Sequence, residues 1–206
     1  MNQPQRQTDR KREAILQAAI EEFRQHGFDA TSMDKIAATA AVSKRTVYNH
    51  FASKDELFSA ILLQLWQSAA THEALTYAPE VRLQQQLEDF LYRKMVMLSD
   101  PNFLDLSRVA VAATIHTPDR ARDMVEKLGK NEPTIVTWIK AAQNDGKLIA
   151  ADPLLMADML VGQLKAMAFW PQVAMGQPIL NQQQQLALIQ TATRMFLGYY
   201  GTPSTL

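Results

Sequence analysis

Between Ser43 and Lys54 the chain carries the cations Lys44, Arg45 and Lys54, the Asn49 amide, the Thr46 and Tyr48 hydroxyls, the His50 imidazole and no carboxylate. Cations and hydroxyls contact phosphate oxygens, while amide and guanidinium forks read base edges. This supply suits a nucleic-acid surface. Lys44, Arg45 and Asn49 are candidate base readers. Thr46, Tyr48, His50 and Lys54 are candidate phosphate binders, with Thr31, Ser32 and Ser43 beside them at helix starts. Lys54 opens a helix, where its charge opposes the dipole. That placement suits a phosphate approaching the same N–H groups. The bland alternatives are a core Tyr48, a His50 that caps a helix end and a solvated Lys54. With 21 basic and 21 acidic residues the whole chain is neutral, so only this local excess argues for nucleic acid.

The elements that must hold these residues are short helices. Thr8 to His26 forms an amphipathic helix with Ile15, Ala18, Ala19 and Phe23 on its inner stripe. Gly27 offers the left-handed cap after it, and Phe28 folds back onto the last turn. Thr31 is expected to start the next helix, with Asp34 as reciprocal cap, and Ile36, Ala37 and Ala40 supply its buried face. A tight turn at Ala41-Val42-Ser43 leads to a third helix, Lys44 to His50, capped by Ser43. Ser53-Lys54-Asp55-Glu56 is a capping box that opens a fourth. Two short helices across a minimal turn, with Val42 and Val47 pinning the second, make a helix-turn-helix. A major groove about 12 Å wide accepts one such helix.

Further helices are expected at Val81 to Leu98, Phe103 to His116, Arg120 to Leu128, Pro133 to Asn144 and from Asp152-Pro153 towards Trp170-Pro171. Asn181 caps the last one, which runs towards Tyr200. The final helix carries two apolar stripes (Leu186, Ile189, Phe196 and Leu188, Ala192, Met195, Tyr199), and the Leu154 to Trp170 segment is apolar nearly all round. A helix needs one stripe for its own core, so a second implies a partner surface and a homodimer. Trp138, Met159, Met167 and Trp170 are candidate walls of a ligand cavity, with Arg108, His116, Gln163 and Lys165 as candidate polar anchors. Helical Met and aromatic residues are more often simple core, and the polar four are at least as often solvated or paired.

The ordered pattern Thr31-Ser32, Ile36-Ala37, Ala40-Ala41-Val42-Ser43, Thr46 to Phe51 and Ser53 to Phe58 resembles the TetR/AcrR family of repressors. Phe169-Trp170-Pro171 through Phe196 to Tyr200 is similar to the C-terminal regions of one AcrR-type subgroup. Ala41 departs from a common glycine and Arg45 from a common small residue. The resemblance implies an all-α protein with a helix-turn-helix domain over residues 1–56 and a helical ligand-sensing and dimerisation domain over residues 57–206. It also implies a homodimer on a palindromic double-stranded DNA operator, released by a small, largely apolar effector. A helical module acting through protein contacts is the alternative. No cofactor is expected. Cysteine is absent, which excludes disulfides and thiolate chemistry. His26, His50, His72 and His116 are scattered, and no phosphate loop or nucleophile elbow is present, so an enzyme is not expected. No signal peptide or membrane span is expected, which implies the cytoplasm.

Overall fold

A computed structural model describes residues 3–71, 75–115, 117–119, 121–122, 126 and 134–203, and all that follows concerns these. In chain order the helices are α1 (Gln3–His26), α2 (Met33–Thr39), α3 (Lys44–His50), α4 (Lys54–Thr71), α5 (Leu83–Leu98), α6 (Pro101–Thr114), α7 (Thr134–Asn144), α8 (Pro153–Ala168), α9 (Trp170–Ala174) and α10 (Gln182–Tyr200). The described residues contain no strand, only an isolated bridge between Leu148 and Gly201. The protein is all-α, as the family resemblance implied.

The chain forms two compact units, Met1–Gln67 with Asp105–Leu128 and Ser68–Leu104 with Gly129–Leu206. The boundary between Gln67 and Ser68 lies inside α4. The reason lies in the first core. Leu57, Phe58, Ile61 and Leu62 of α4 and Leu106, Val109, Ala110 and Ala113 of α6 pack with Ile15, Ala19 and Phe23 of α1 and Val47 of α3. Phe28 lies between Phe23 and Phe58, with ring centroids 5.2 and 5.1 Å away. Each such aromatic contributes about 1.5–3 kcal/mol by burial, so α2 and α3 rest on a rigid floor.

Local chemistry explains the boundaries. Helix α1 starts at Gln3, before the expected Thr8, because Pro4 is tolerated in a first turn. It stops where Gly27 adopts φ 80° and donates to the Phe23 carbonyl at 2.9 Å. Helix α8 ends at Ala168, short of Trp170, because Phe169 leaves helical geometry at φ −131° and Pro171, which has no N–H to continue the ladder, sits in the first turn of the separate α9. Asp152 caps α8, and Asn181 with Gln184 forms a full capping box on α10. In the second unit α8 packs against α5, α7, α9 and α10, and α10 also packs against α5. Trp138 lies at the centre and donates its indole N–H to Gln86 Oε1 at 2.9 Å.

Candidate functional site

Helices α2 and α3 and the turn between them are set by a few local bonds. Ser32 caps α2, its Oγ accepting from Lys35 N at 3.3 Å. Ala40 N donates to Ile36 O at 2.9 Å, and Val42 N donates to Ala37 O at 3.0 Å. Ala41 adopts φ 52° between them, a left-handed conformation that costs an L-residue about 1–2 kcal/mol. This is the physical meaning of the missing turn glycine. Ser43 then caps α3 as expected, accepting from Thr46 N at 3.1 Å, with its Oγ also 2.8 Å from the Thr46 hydroxyl. Val47 and Phe51 are buried beneath α3, while Lys44, Arg45, Tyr48 and Asn49 are exposed on its open side.

Arg45 and Asn49 make no side-chain hydrogen bond or ion pair among the described residues, so both forks are available to a partner. Lys44 is tied across the turn to Asp34, with Nζ 2.7 Å from Oδ1. A hydrogen bond to Asp34 holds this ammonium above the usual lysine range. Asp34 therefore serves α3, and is not the reciprocal cap expected of it. Thr31 requires a correction. It is only 2% exposed, and its hydroxyl donates to Gly27 O at 2.8 Å and Glu22 O at 3.2 Å. It holds the loop after α1, and Ser32 takes the capping role instead.

Lys54 has a role the sequence did not suggest. Its ammonium donates to Phe28 O at 2.6 Å, Thr31 O at 2.9 Å and Asp29 O at 3.1 Å, and lies 4.5 Å from the Phe28 ring centroid. At the start of α4 Glu56 N donates to Ser53 Oγ at 3.1 Å, but the Glu56 carboxylate accepts from Ala52 N at 2.7 Å, one residue before the cap. Sequence reasoning also passed over Arg12. Its guanidinium stacks 5.1 Å from the centroid of the Phe51 ring, at the end of α3. The run Arg10-Lys11-Arg12 was the available signal.

Beneath this surface Glu22 joins α1 to α2. Its carboxylate accepts from the Thr39 hydroxyl at 2.6 Å and lies 3.2 Å from both Lys35 Nζ and His26 Nδ1. The Thr39 hydrogen bond, helped by Lys35, outweighs desolvation and holds its pKa below the ordinary carboxylate value. A carboxylate held low in the folded state stabilises fully above its unfolded pKa, and that stability fades as pH falls through the folded one. Glu22→Gln is expected to flatten the fall in stability from about pH 5 downward, as measured by urea unfolding at stepped pH. An unchanged pH profile would remove Glu22 from the acid response.

Residues 15–61 match the family model of bacterial regulatory proteins, tetR family, and residues 85–202 match that of the AefR-like transcriptional repressor C-terminal domain. The chain belongs to the TetR family. A TetR family transcriptional regulator from Pseudomonas syringae pv. tomato DC3000 has a crystal structure 49% identical in sequence, with TM-score 0.83 over 95% of this chain and 99% of that one. The HTH-type regulator RutR of Escherichia coli K12 is 27% identical over 79% of this chain and 76% of its own length. The HTH-type regulator YhgD of Bacillus subtilis 168 is 28% identical over 78% of this chain and 83% of its own. The α2–α3 pair is thus the DNA-binding helix-turn-helix of a TetR-family transcription regulator.

The second unit of this TetR-family chain contains a cavity of about 150 Å³. Phe90, Lys94 and Leu98 of α5, Ile135 of α7, and Val161 and Lys165 of α8 line it. Of the ligand residues expected from sequence, Lys165 alone borders this cavity. Trp138 is core, Met159, Met167 and Trp170 are exposed, and Gln163 is half-buried away from the lining. Arg108 belongs to the first unit, where it pairs with Asp105. His116 lies outside the described residues. Among the described residues no group of three or more metal-ligating side chains occurs, and no helix is long and apolar enough to cross a membrane.

Proposed function

We propose that this TetR-family chain represses transcription by gripping a two-fold symmetric DNA operator as a homodimer, and that a small effector bound in the second unit releases it. The observation that carries the first part is α3. It is pinned by Val47 and Phe51, presents the unpartnered Arg45 and Asn49 outward, and has Arg12 stacked at its end. Arg45, Asn49 and Lys44 read bases in this scheme, and Lys44 must exchange Asp34 for its target. Ser43, Thr46, Tyr48, His50 and the Arg10 to Arg12 run position phosphates. Release is a shift between two dimer forms. An effector that favours the DNA-incompetent form weakens operator affinity by its affinity ratio, and DNA weakens effector affinity equally.

Selection from random DNA is expected to yield a symmetric site with half-sites about 34–36 Å apart or a multiple of that. Arg45→Ala should relax preference at one base pair per half-site, losing about 1–3 kcal/mol of discrimination there. Enrichment of asymmetric single sites would exclude the dimeric operator. A uniform loss across all sequences would make Arg45 a phosphate contact.

A further inference from the structure

The cations grouped around α3 are not equally available. Lys44 is held by Asp34, and Lys54 is held by three carbonyls of the loop after α1. Arg12 reaches the end of α3 from α1, and its guanidinium makes no hydrogen bond or ion pair among the described residues. It lies instead 5.1 Å from the centroid of the Phe51 ring, within reach of a cation–π contact. Glu13, the next residue of α1, is taken by Gln17, whose amide donates to it at 2.9 Å. Phe51 closes α3, with its N–H donating to Val47 O at 2.9 Å. Its ring is 2% exposed and belongs to the first core together with Ile15, Val47 and Leu57.

A guanidinium is planar, stacks on aromatic faces and keeps its N–H donors around the rim of the plane. A loose surface arginine must be ordered when it binds, and that ordering weakens binding. An arginine already seated on a fixed ring has lost much of that freedom beforehand. The Phe51 ring is fixed, because the core that buries it also pins Val47 of α3. We propose that Phe51 is a positioning residue for DNA binding: its buried ring seats the Arg12 guanidinium at the end of the recognition helix, oriented to donate to a backbone phosphate. A phosphate is the acceptor because Arg12 belongs to α1 and flanks the recognition helix, and contacts that set register on the duplex go to the backbone. The proposal rests on the reading of Arg12 as a phosphate contact and adds the side chain that aims it.

Binding of the full-length protein to a random-sequence duplex is measured over a salt series, since phosphate contacts need no operator. Arg12→Ala should bind about fivefold more weakly at physiological salt and lower the salt slope by about 0.9, the loss of one phosphate contact. Arg12→Lys keeps the charge and should leave the slope unchanged, yet bind about two- to tenfold more weakly, the effect of ordering one long side chain on binding. Phe51→Leu should do the same, and in its background Arg12→Lys should cost at least about twofold less than in the wild type. Independent, additive losses from the two substitutions would overturn the positioning role. Should Phe51→Leu fail to fold, Arg12→Lys decides alone, and wild-type affinity in that variant would remove the stacking from DNA binding. An Arg12→Ala protein with a lowered melting temperature and an unchanged salt slope would make Arg12 a structural partner of Phe51 only. Either failure leaves the repressor reading standing if a symmetric operator is selected. Absence of such an operator sinks that reading and leaves this test on random DNA intact.

Discussion

Met159→Glu and Tyr199→Glu, combined in one chain, are expected to yield a folded monomer whose operator affinity falls by about 10²–10⁴-fold. Met159 is 55% exposed on α8 and Tyr199 is 73% exposed on α10. These helices pack together in the second unit. Leu154, Leu155, Met167 and Trp170 of the α8–α9 stretch and Leu186 and Met195 of α10 are exposed as well. A soluble chain rarely leaves so many large apolar side chains in water on neighbouring helices without a partner surface. In a two-fold pair each face meets its own copy, so one substitution places two carboxylates in one interface. Fold stability should change little, because neither side chain belongs to the monomer core. The operator loss follows from avidity, since one headpiece then binds only one half-site. Light scattering and DNA titration on the same samples check the claim. Glutamate variants that remain dimeric and bind the operator normally would place the interface elsewhere.

The same face shows how much was legible. Two apolar stripes on the final helix predicted a surplus surface, yet they sorted differently in the fold. Ile189, Phe196 and Ala192 are buried, while Leu186, Met195 and Tyr199 remain outside. Periodicity reports that a helix has two faces. It does not say which residue of a crowded stripe wins the core. Caps were legible where the side chain acts within three residues, as at Ser43 and Asn181. They were misread at Thr31, whose hydroxyl reaches Glu22 O nine positions back, a tertiary contact. The cavity could have been anticipated. Phe90, Lys94 and Met97 of its lining follow one helical stripe with Leu83 and Leu87, so the place of Lys94 on the buried face of α5 is readable from spacing. Met97 lines the cavity, whereas Trp138 fills core and Met159, Met167 and Trp170 lie on the surface.

Lys54→Met is expected to lower stability by about 2–3 kcal/mol, the scale of lost charge-assisted hydrogen bonds, and the melting temperature by roughly 5–10 °C. The sequence placed Lys54 at a helix start, where a phosphate would suit its charge. In the fold its ammonium binds three carbonyls, those of Phe28, Asp29 and Thr31, and lies over the Phe28 ring. These carbonyls belong to the loop that joins α1 to α2, so Lys54 ties the first turn of α4 to the base of the helix-turn-helix. Methionine keeps the length and apolar contact of the stem but leaves the carbonyls without their cation. Arginine retains charge but spreads it over a planar fork, and should restore only part of the loss. A phosphate contact predicts a different signature. It would leave the melting temperature unchanged and flatten the salt dependence of DNA binding by about one unit. Thermal unfolding of the free protein and a salt titration of its operator complex read the two roles separately. A Lys54→Met protein that melts with the wild type while losing a unit of salt slope would make Lys54 a DNA contact and reduce its carbonyl contacts to a minor role.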